Sequence, residues 1–596
     1  MCGLFGVYRP DGFSPDDIGR ANRARDTLAH RGPNHGGARI TSDLYHGFRR
    51  LSIIDLSAAG NQPMVSADGK VAITVNGEIY NYRELRAELV AKGCVFASRS
   101  DSEVVLHGYR VWGLDGLCDR MDGMYAAVIH DEAAGKIHAI RDRPGMKPLF
   151  YFHSGRRFAW ASELKALATW LGDDLPAVDE TSVLDYLALR YIPAPKTLYR
   201  NVYKLPAANK LTFDCASGSL SVGRYWNLPV EIHQAGDEQL AEELRERMQG
   251  SVQAHMVSDV PVGYFLSGGV DSAVVLSHAA KLNKDAKAFS IGFEDPRYDE
   301  SRDAATMAAH LGVEHKIRIL EPDETDDIFE RTRQWYDEPL SDKAAVPAFR
   351  VSEFASEHVT VVLTGDGGDE LFGGYRWYEK FNEIRRKQRM IPLGSKAGWP
   401  FRNRDMRLLS TRDPLELYPV LRSGLTRAQR NTYRKRLGIS SDYDELAHLR
   451  QWWKPELGSF RSLQYLDFHT NMPNNILTKV DRLSMSVSLE ARIPFLGRSI
   501  IEYAFSLPES FVYRGGKRKG GLKYAYRGIL PAETLNRRKQ GFGIPRSWKK
   551  AAVESQSEGS YIEAVLASFT NGKLPNGSTR NSVLRSSPAR PDEMSA

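Results

Sequence analysis

Behind Met1 the chain reads Cys2-Gly-Leu-Phe-Gly6. Once Met1 is removed, Cys2 carries a thiol and a free α-amine on one carbon, a nucleophile with its own base. Ordinary values of ~8.5 for a thiol and ~7.7–8.0 for an α-amine put the amine where it exchanges protons near neutral pH. A buried cysteine is the commoner meaning of such a dipeptide, so the rest of the chain must decide. A second cluster lies in the other half. Val260 to Leu266 reads as a buried strand, Ser267-Gly-Gly-Val-Asp-Ser272 follows at once, and Ala273 to Leu282 runs on as an apolar helix. A glycine-rich turn between strand and helix presents unpaired backbone N–H groups at a helix N-terminus, which favours phosphate. Ser267 and Ser272 add hydroxyl donors. Asp271 has the wrong sign for phosphate and the right one for a Mg²⁺ ion bridging to it. A structural turn capped by Asp and Ser is the alternative. The Gly-Lys-Ser/Thr of a Walker loop is absent. A third cluster, Thr364-Gly-Asp-Gly-Gly-Asp-Glu370, follows the apolar run Thr360–Leu363. Its three carboxylates are costly if merely buried and make sense around a metal or as a base; a solvated acidic turn is the alternative.

These clusters need two scaffolds. The first ~215 residues hold short β-like runs (Val71–Val75, Tyr125–Ile129, Lys210–Phe213) separated by Asp68-Gly69, Asn76-Gly77, Asp122-Gly123 and Ser154-Gly155, read as turns. Helical patterns interleave at Tyr82–Lys92 and Ser102–Trp112. This predicts a layered α+β domain over 2–215. A polar connector, 216–237, leads to a unit over 238–558 in which strand, glycine-rich turn and helix alternate, the pattern of parallel βαβ units. Ligands in such sheets sit beyond the carboxyl ends of the strands, where both glycine-rich turns would lie. Trp377 to Leu457 is helical and charged and reads as solvated helix faces. From 559 to 596 a weak helix, Tyr561–Phe569, gives way to a polar tail expected to be disordered.

Composition narrows the class. With 596 residues, 42% hydrophobic and 26% charged, the chain is a globular protein of more than one domain. The net charge of +7, from 81 basic and 74 acidic residues, is mild at this length, and no basic run argues for nucleic acid. Cys2, Cys94, Cys118 and Cys215 show no CxxC spacing, so neither a disulfide framework nor a zinc site is expected and a reducing cytoplasm fits. No run of about 18 apolar residues predicts a membrane span, and Gly3–Val7 is too short for a signal segment.

Together the clusters resemble one family, the glutamine-dependent asparagine synthetases of the class II amidotransferase type. Matching stretches are Leu28-Ala-His-Arg-Gly-Pro33, Arg49-Arg-Leu-Ser-Ile53, Val75-Asn-Gly-Glu-Ile-Tyr80, Ser100-Asp-Ser102, Ser267–Ser272, 364–375, Leu477-Thr-Lys-Val-Asp-Arg482, Glu490-Ala-Arg-Ile-Pro-Phe495 and Arg538-Lys-Gln-Gly-Phe542. They run in the family's order over about nine-tenths of the chain. The resemblance implies an Ntn-hydrolase glutaminase domain fused to an N-type ATP-pyrophosphatase domain. It implies Cys2 as the nucleophile on glutamine, with Asn76 and the Gly77 N–H for the oxyanion. Arg50 would take the glutamine α-carboxylate, Asp101 and Glu78 its α-amine, and Ile53 would lie in the same pocket. Ser267, Gly268, Gly269, Asp271 and Ser272 would hold the phosphates of ATP, Leu266, Ile291 and Gly365 would lie against the nucleotide, and Asp271 and Asp369 would bind Mg²⁺. Asp366 takes the position associated with adenylate formation, and Lys539 would neutralise the α-phosphate as pyrophosphate leaves. Lys479 is a weaker choice, with an ion pair to Asp481 as its structural alternative.

The activity implied is glutamine, ATP and aspartate to asparagine, glutamate, AMP and pyrophosphate through β-aspartyl-AMP, with ammonia kept neutral in a dry passage between the domains. The partners implied are these small molecules, with no nucleic acid and no membrane; the family is compatible with a homodimer. Two alternatives stand beside it. The same machinery serves other carboxylates, such as sugar acids or natural-product precursors, and a catalytically silent glutamine-binding relative would keep only the fold. Intact Cys2, Asn76, Asp271, Asp366 and Lys539 speak against silence, and Cys2 speaks against the lactam-forming relatives, which lack it. Beyond Pro545 the sequence departs from the family, which leaves its C-terminal packing open.

Overall fold

The structure is a computed structural model describing residues 2–322, 331, 334–342, 344–390, 408–409, 411–537, 543, 545 and 566. Two six-stranded antiparallel sheets form its first part. The first runs β10 (Val202–Lys204), β8 (Phe150–Ser154), β9 (Arg157–Ala161), β1 (Cys2–Tyr8), β3 (Leu44–Arg50), β2 (His35–Ile40). The second runs β12 (Leu220–Arg224), β11 (Asn209–Asp214), β7 (Lys136–Arg141), β6 (Gly123–Asp131), β5 (Val71–Ile79), β4 (Met64–Val65). Strand alternation on β1 explains how they stack. Cys2, Leu4 and Tyr8 point into a core shared with Val128 and Ala139 of the second sheet, and Phe5 and Val7 point outward against Ala21, Ala24 and Leu167 of flanking helices. On the outer side of the second sheet, Ile73 and Ile129 pack with Leu85, Leu89 and Leu117. The result is four layers, helix, sheet, sheet, helix, with Cys2 at the start of a fully buried strand.

Asn76-Gly77 lies within β5 rather than in a turn, paired with Ala126 and Tyr125 of β6. Asn-Gly is the strongest hairpin signal. Here Gly77 has φ 143°, and a Cβ on it would stand 1.9 Å from the Met124 carbonyl oxygen. The glycine serves a close approach between strands. The stretch read as a connector also contributes β12, whose Leu220-Ser-Val-Gly-Arg224 alternates too weakly to be seen without its partner β11. The helix that opens the second part starts at Asp237.

That second part is built on a five-stranded parallel sheet in the order β15 (Glu314–Leu320), β14 (Lys287–Phe293), β13 (Val262–Phe265), β16 (Val361–Leu363), β17 (Glu490–Arg492). The chain winds outward from β13 through β14 to β15 and then returns to the other side of β13 with β16. The switch point is therefore between β13 and β16, and both glycine-rich turns leave the sheet there. The helical segment after Tyr375 is not a set of solvated faces. Tyr378, Leu417 and Arg430 are fully buried, and the Tyr378 and Tyr418 hydroxyls both donate to Asp467 at 2.7 Å. Among the described residues no helix is long and apolar enough to cross a membrane. Of the expected tail, only Leu566 is described; it is buried beside Leu184, Leu187 and Leu425.

Candidate active sites

The Cys2 nitrogen donates to Asn76 Oδ1 at 2.8 Å, and the thiol lies 3.9 Å from the Leu51 carbonyl. Burial pushes the thiol above its ordinary value, so a thiolate does not form unaided and a base on the same residue has a task to do. Asn76 Nδ2 is buried with no hydrogen-bond partner among the described residues, a spare donor beside the thiol's strand. Arg50, opposite Cys2 across β1–β3, is 4% exposed and is held entirely by neutral oxygens. Its Nη1 donates to Ser57 O and Asn61 Oδ1 at 2.8 Å each, and its Nη2 to Ile54 O and Asp55 O. The Ala58–Gly60 turn wraps it so closely that a Cβ on Gly60 would meet Nη2 at 2.2 Å. Among the described residues no carboxylate forms an ion pair with this guanidinium; burial lowers it from its ordinary value, with Asp55 and Asp101 opposing that shift. Ile53 is buried next to it and its carbonyl accepts from Asp259 N at 2.9 Å.

Asp101 accepts from Ile79 N at 2.8 Å, and burial pushes its carboxyl up. Glu78 is pushed well above the carboxylate range by burial, with Asp101 and then Glu490 adding to it. One Glu78 oxygen pairs with Arg492 Nη2 at 3.2 Å and the other has no hydrogen-bond partner. Glu490 also pushes Asp101 up, and a cation entering beside this group of carboxylates would relieve it.

At the switch point, Ser267 N donates to Ser272 Oγ and Gly269 N to Ser267 Oγ, at 3.1 and 3.2 Å. The helix Val270–Leu282 starts on this turn. Leu266 and Ile291 are buried behind it, tied through Ser290, whose hydroxyl donates to Leu266 O at 2.5 Å. A Cβ on Gly365 would stand 2.6 Å from Ser272 N, so the two turns touch backbone to backbone, and one on Gly368 would meet the Asp271 carboxylate at 2.6 Å. Asp366 accepts from Thr364 Oγ1 at 2.8 Å. Asp271 and Asp369 converge on one nitrogen, Lys519 Nζ, 2.5 Å from Asp369 Oδ1 and in direct contact with Asp271 Oδ2. Carboxylates close enough to share that ammonium are close enough to share one divalent cation, and two carboxylates completed by phosphate oxygens suit Mg²⁺. No group of three His, Cys, Asp or Glu among the described residues forms a metal cage by itself. Glu370, 1% exposed, is pushed up to about 7 by burial and by Asp369.

The two sites meet across a buried charged seam. Arg31 donates Nε to the Cys2 carbonyl at 3.1 Å and its two Nη atoms to Asp481 at 2.8 and 2.9 Å. Glu163 joins Arg31 at 2.8 Å to Arg482 at 2.7 Å. Arg492, at the end of β17, links Glu490 (2.6 Å) to Glu78.

With this geometry in view, comparison with known proteins gives two matches that tile the chain. The glutamine amidotransferase domain model matches residues 1–226 and the asparagine synthase model residues 243–560. The glutamine-hydrolyzing asparagine synthetase 1 of Bacillus subtilis is 34% identical over 565 residues, covering 92% of this chain and 88% of the relative. The chain belongs to the asparagine synthase family. The glutamine-hydrolyzing asparagine synthetase 3 of the same organism is 29% identical over 91% of this chain and 87% of its own. A protein of Gibberella zeae named amidase chry2 is 28% identical over 92% and 89%. The four-layer first unit with Cys2 on a central strand is the Ntn-type amidotransferase layout expected from the sequence.

The asparagine synthase fold gathers Cys2, Arg50, Ile53, Asn76, Gly77, Glu78 and Asp101 at one end of the first two sheets. It gathers Leu266, Ser267, Gly268, Gly269, Asp271, Ser272, Ile291, Gly365, Asp366 and Asp369 at the switch point. Lys539 and the rest of Arg538–Phe542 lie outside the described residues; Arg537 just before them reaches over Gly268, where a Cβ would meet its Nη1 at 1.7 Å. Lys479 pairs with Asp342 at 3.0 Å, whereas Asp481 pairs with Arg31. Sequence reasoning missed Lys519. It sits in Gly515-Gly-Lys-Arg-Lys-Gly-Gly521, which reads as a solvated basic loop. The signal within it was a lysine followed by two glycines opening a helix, with Lys519 itself at φ 56°.

Proposed function

We propose that the chain amidates aspartate, using ATP to activate the carboxylate and glutamine as nitrogen donor. Cys2, freed of Met1, attacks the glutamine side-chain amide, its α-amine taking the thiol proton. The nitrogen that takes this proton is the one held against Asn76 Oδ1 at 2.8 Å, and that contact carries the reading. Asn76 Nδ2 and the Gly77 N–H take the tetrahedral oxyanion. Arg50 receives the glutamine α-carboxylate in exchange for contacts its Nη atoms make to neutral oxygens, and Asp101 with Glu78 takes the α-ammonium, which relieves the repulsion of Glu78 by Asp101. Ammonia leaves, and water then releases glutamate from the thioester.

In the second unit the backbone and hydroxyls of Ser267–Ser272 hold the phosphates, with Leu266, Ile291 and Gly365 against the nucleotide. Asp271 and Asp369 would hold Mg²⁺, which would supply charge neutralisation for the phosphates. Lys539 neutralises negative charge on the α-phosphate as pyrophosphate leaves, and Lys519, beside Asp271 and Asp369, adds positive charge at the same turn. The aspartate β-carboxylate attacks the α-phosphorus, pyrophosphate departs, and ammonia displaces AMP from the acyl-adenylate. Asp366, hydrogen-bonded to Thr364, stands at the turn nearest that step. The seam of Arg31, Glu163, Asp481 and Arg482 excludes water between the sites and keeps ammonia neutral on its way. We place this reaction in the cytoplasm.

The test is pyrophosphate and AMP release from Mg-ATP and glutamine, with and without aspartate. Release that depends on aspartate supports the reading. Its absence rejects aspartate as acceptor and leaves the same chemistry on another carboxylate.

A further inference from the structure

Three loops surround the two charged ends of the glutamine pocket. The loop after β3, 51–61, supplies the oxygens that hold Arg50. The loop 97–101 carries Asp101. The third, 256–261, belongs to the second unit, between the helix Asp237–His255 and β13. Asp55 is bonded to all three. Its Oδ1 accepts from Ser57 N at 3.1 Å and from the Ser57 hydroxyl at 2.6 Å, and the Ser57 carbonyl is one of the acceptors of Arg50. The Asp55 carbonyl accepts from Arg50 Nη2 directly. Its Oδ2 accepts from Arg99 N at 2.7 Å, two residues before Asp101. Its own N donates to Asp259 Oδ2 at 2.8 Å. Asp55 is buried and has φ 57°, a left-handed conformation that a non-glycine residue keeps only where its surroundings over-determine it.

Asp259 closes this clasp from the other unit, 204 residues away in the chain. Its N donates to the Ile53 carbonyl at 2.9 Å while its carboxylate accepts from Asp55 N, so it grips the 53–55 backbone at two points. The loop that presents Asp259 is itself fixed. Arg492 Nη1 donates to the His255 and Val257 carbonyls at 2.8 and 2.6 Å, and Arg492 Nη2 pairs with Glu78. None of these contacts goes to Cys2, Asn76 or Gly77, which stand on β1 and β5. The clasp therefore bears on where glutamine is held and not on the groups that break its amide.

We propose that Asp259 is a positioning residue for glutamine: through Asp55 it sets the placement of Arg50 relative to Asp101, so that the second unit completes the pocket for the α-carboxylate and α-ammonium. This rests on the glutaminase reading proposed above. Asp259 is exposed, so its replacement leaves the core intact. Glutamate release from glutamine and ammonia-dependent pyrophosphate release are measured on the full chain and on Asp259→Ala and Asp259→Asn. Asp259→Ala raises the glutamine KM about tenfold, the effect of losing one hydrogen bond to a charged acceptor. The kcat for hydrolysis and the ammonia-dependent rate both stay within about twofold of wild type. Asp259→Asn keeps an acceptor oxygen in the same place and restores most of the loss. A glutamine KM within about twofold of wild type in Asp259→Ala, a fall in kcat at unchanged KM, or an Asn variant as impaired as the Ala one overturns the assignment. If Asp259→Ala loses the ammonia-dependent rate as well, Asp55→Asn carries the comparison. Its single oxygen can accept from Ser57 or from Arg99 N but not from both, and the same rise in KM at unchanged kcat is expected. A wild-type chain that releases no glutamate from glutamine rejects the glutaminase reading instead.

Discussion

Gly365→Ala tests whether contact between the two glycine-rich turns sets the geometry of activation. Gly365 lies outside the left-handed region, so alanine meets no backbone strain there and the effect comes from space alone. The new Cβ would stand 2.6 Å from Ser272 N, 2.9 Å from Asp271 C and 3.0 Å from Asp271 Cβ. Ordinary contact begins near 3.4 Å, so the turns must part by about 0.8 Å, and what must yield is backbone, not a mobile side chain. Overpacking of this kind costs about 1–3 kcal/mol of stability. A displacement near 1 Å at a reacting centre costs about 10²-fold in rate. We expect pyrophosphate release to fall by about two orders of magnitude while glutamine hydrolysis at Cys2 is retained. Parallel assays of pyrophosphate and glutamate on one preparation separate the two outcomes. Retention of more than a third of the pyrophosphate rate would show that the turns are free to move apart and that their contact does not position ATP.

Other predictions bear on the Cys2 site, the seam and the acidic turn. A chain that keeps Met1, or carries an N-terminal tag, loses glutamine-dependent synthesis and keeps the ammonia-dependent reaction; equal loss of both would remove the α-amine from its role as base. Arg31→Met strips a buried cation from Glu163 and Asp481, which costs about 3–5 kcal/mol, and makes glutamate outrun asparagine; a one-to-one ratio in the variant would show that the seam does not couple the sites. Glu370, held near 7 against an ordinary 4.5, binds a proton in the folded state that the unfolded chain releases. Stability therefore falls as pH rises through 4.5 to 7, by on the order of 3 kcal/mol. Glu370→Gln should be more stable than wild type at pH 8 and little changed at pH 4.5, read from melting temperatures; a parallel shift at both values would refute the linkage.

What the sequence discloses divides along a physical line. Ser267–Ser272 and the 364–370 turn are legible because strand, turn and helix are contiguous and each residue's role follows from its neighbours in the chain. Asn76-Gly77 misleads for the same reason. As a dipeptide it is a hairpin turn, and only the Met124 carbonyl, brought alongside by β6, makes the glycine a strand residue. Arg31, Glu163, Asp481 and Arg492 read singly as surface charges, since a charge is buried only where its partners bear most of the desolvation. Those partners lie 132 and 450 residues from Arg31. Lys519 is hidden likewise, 248 residues from Asp271. The helices after Tyr375 look solvated because arginines recur along them, yet Arg430 is fully buried between Glu416 and Glu445. Periodicity counts a charge as exposed; topology decides whether it has been neutralised. Among the described residues Arg50 is hydrogen-bonded to neutral oxygens alone, so a carboxylate of the kind glutamine brings can form the direct ion pair that the chain does not supply there.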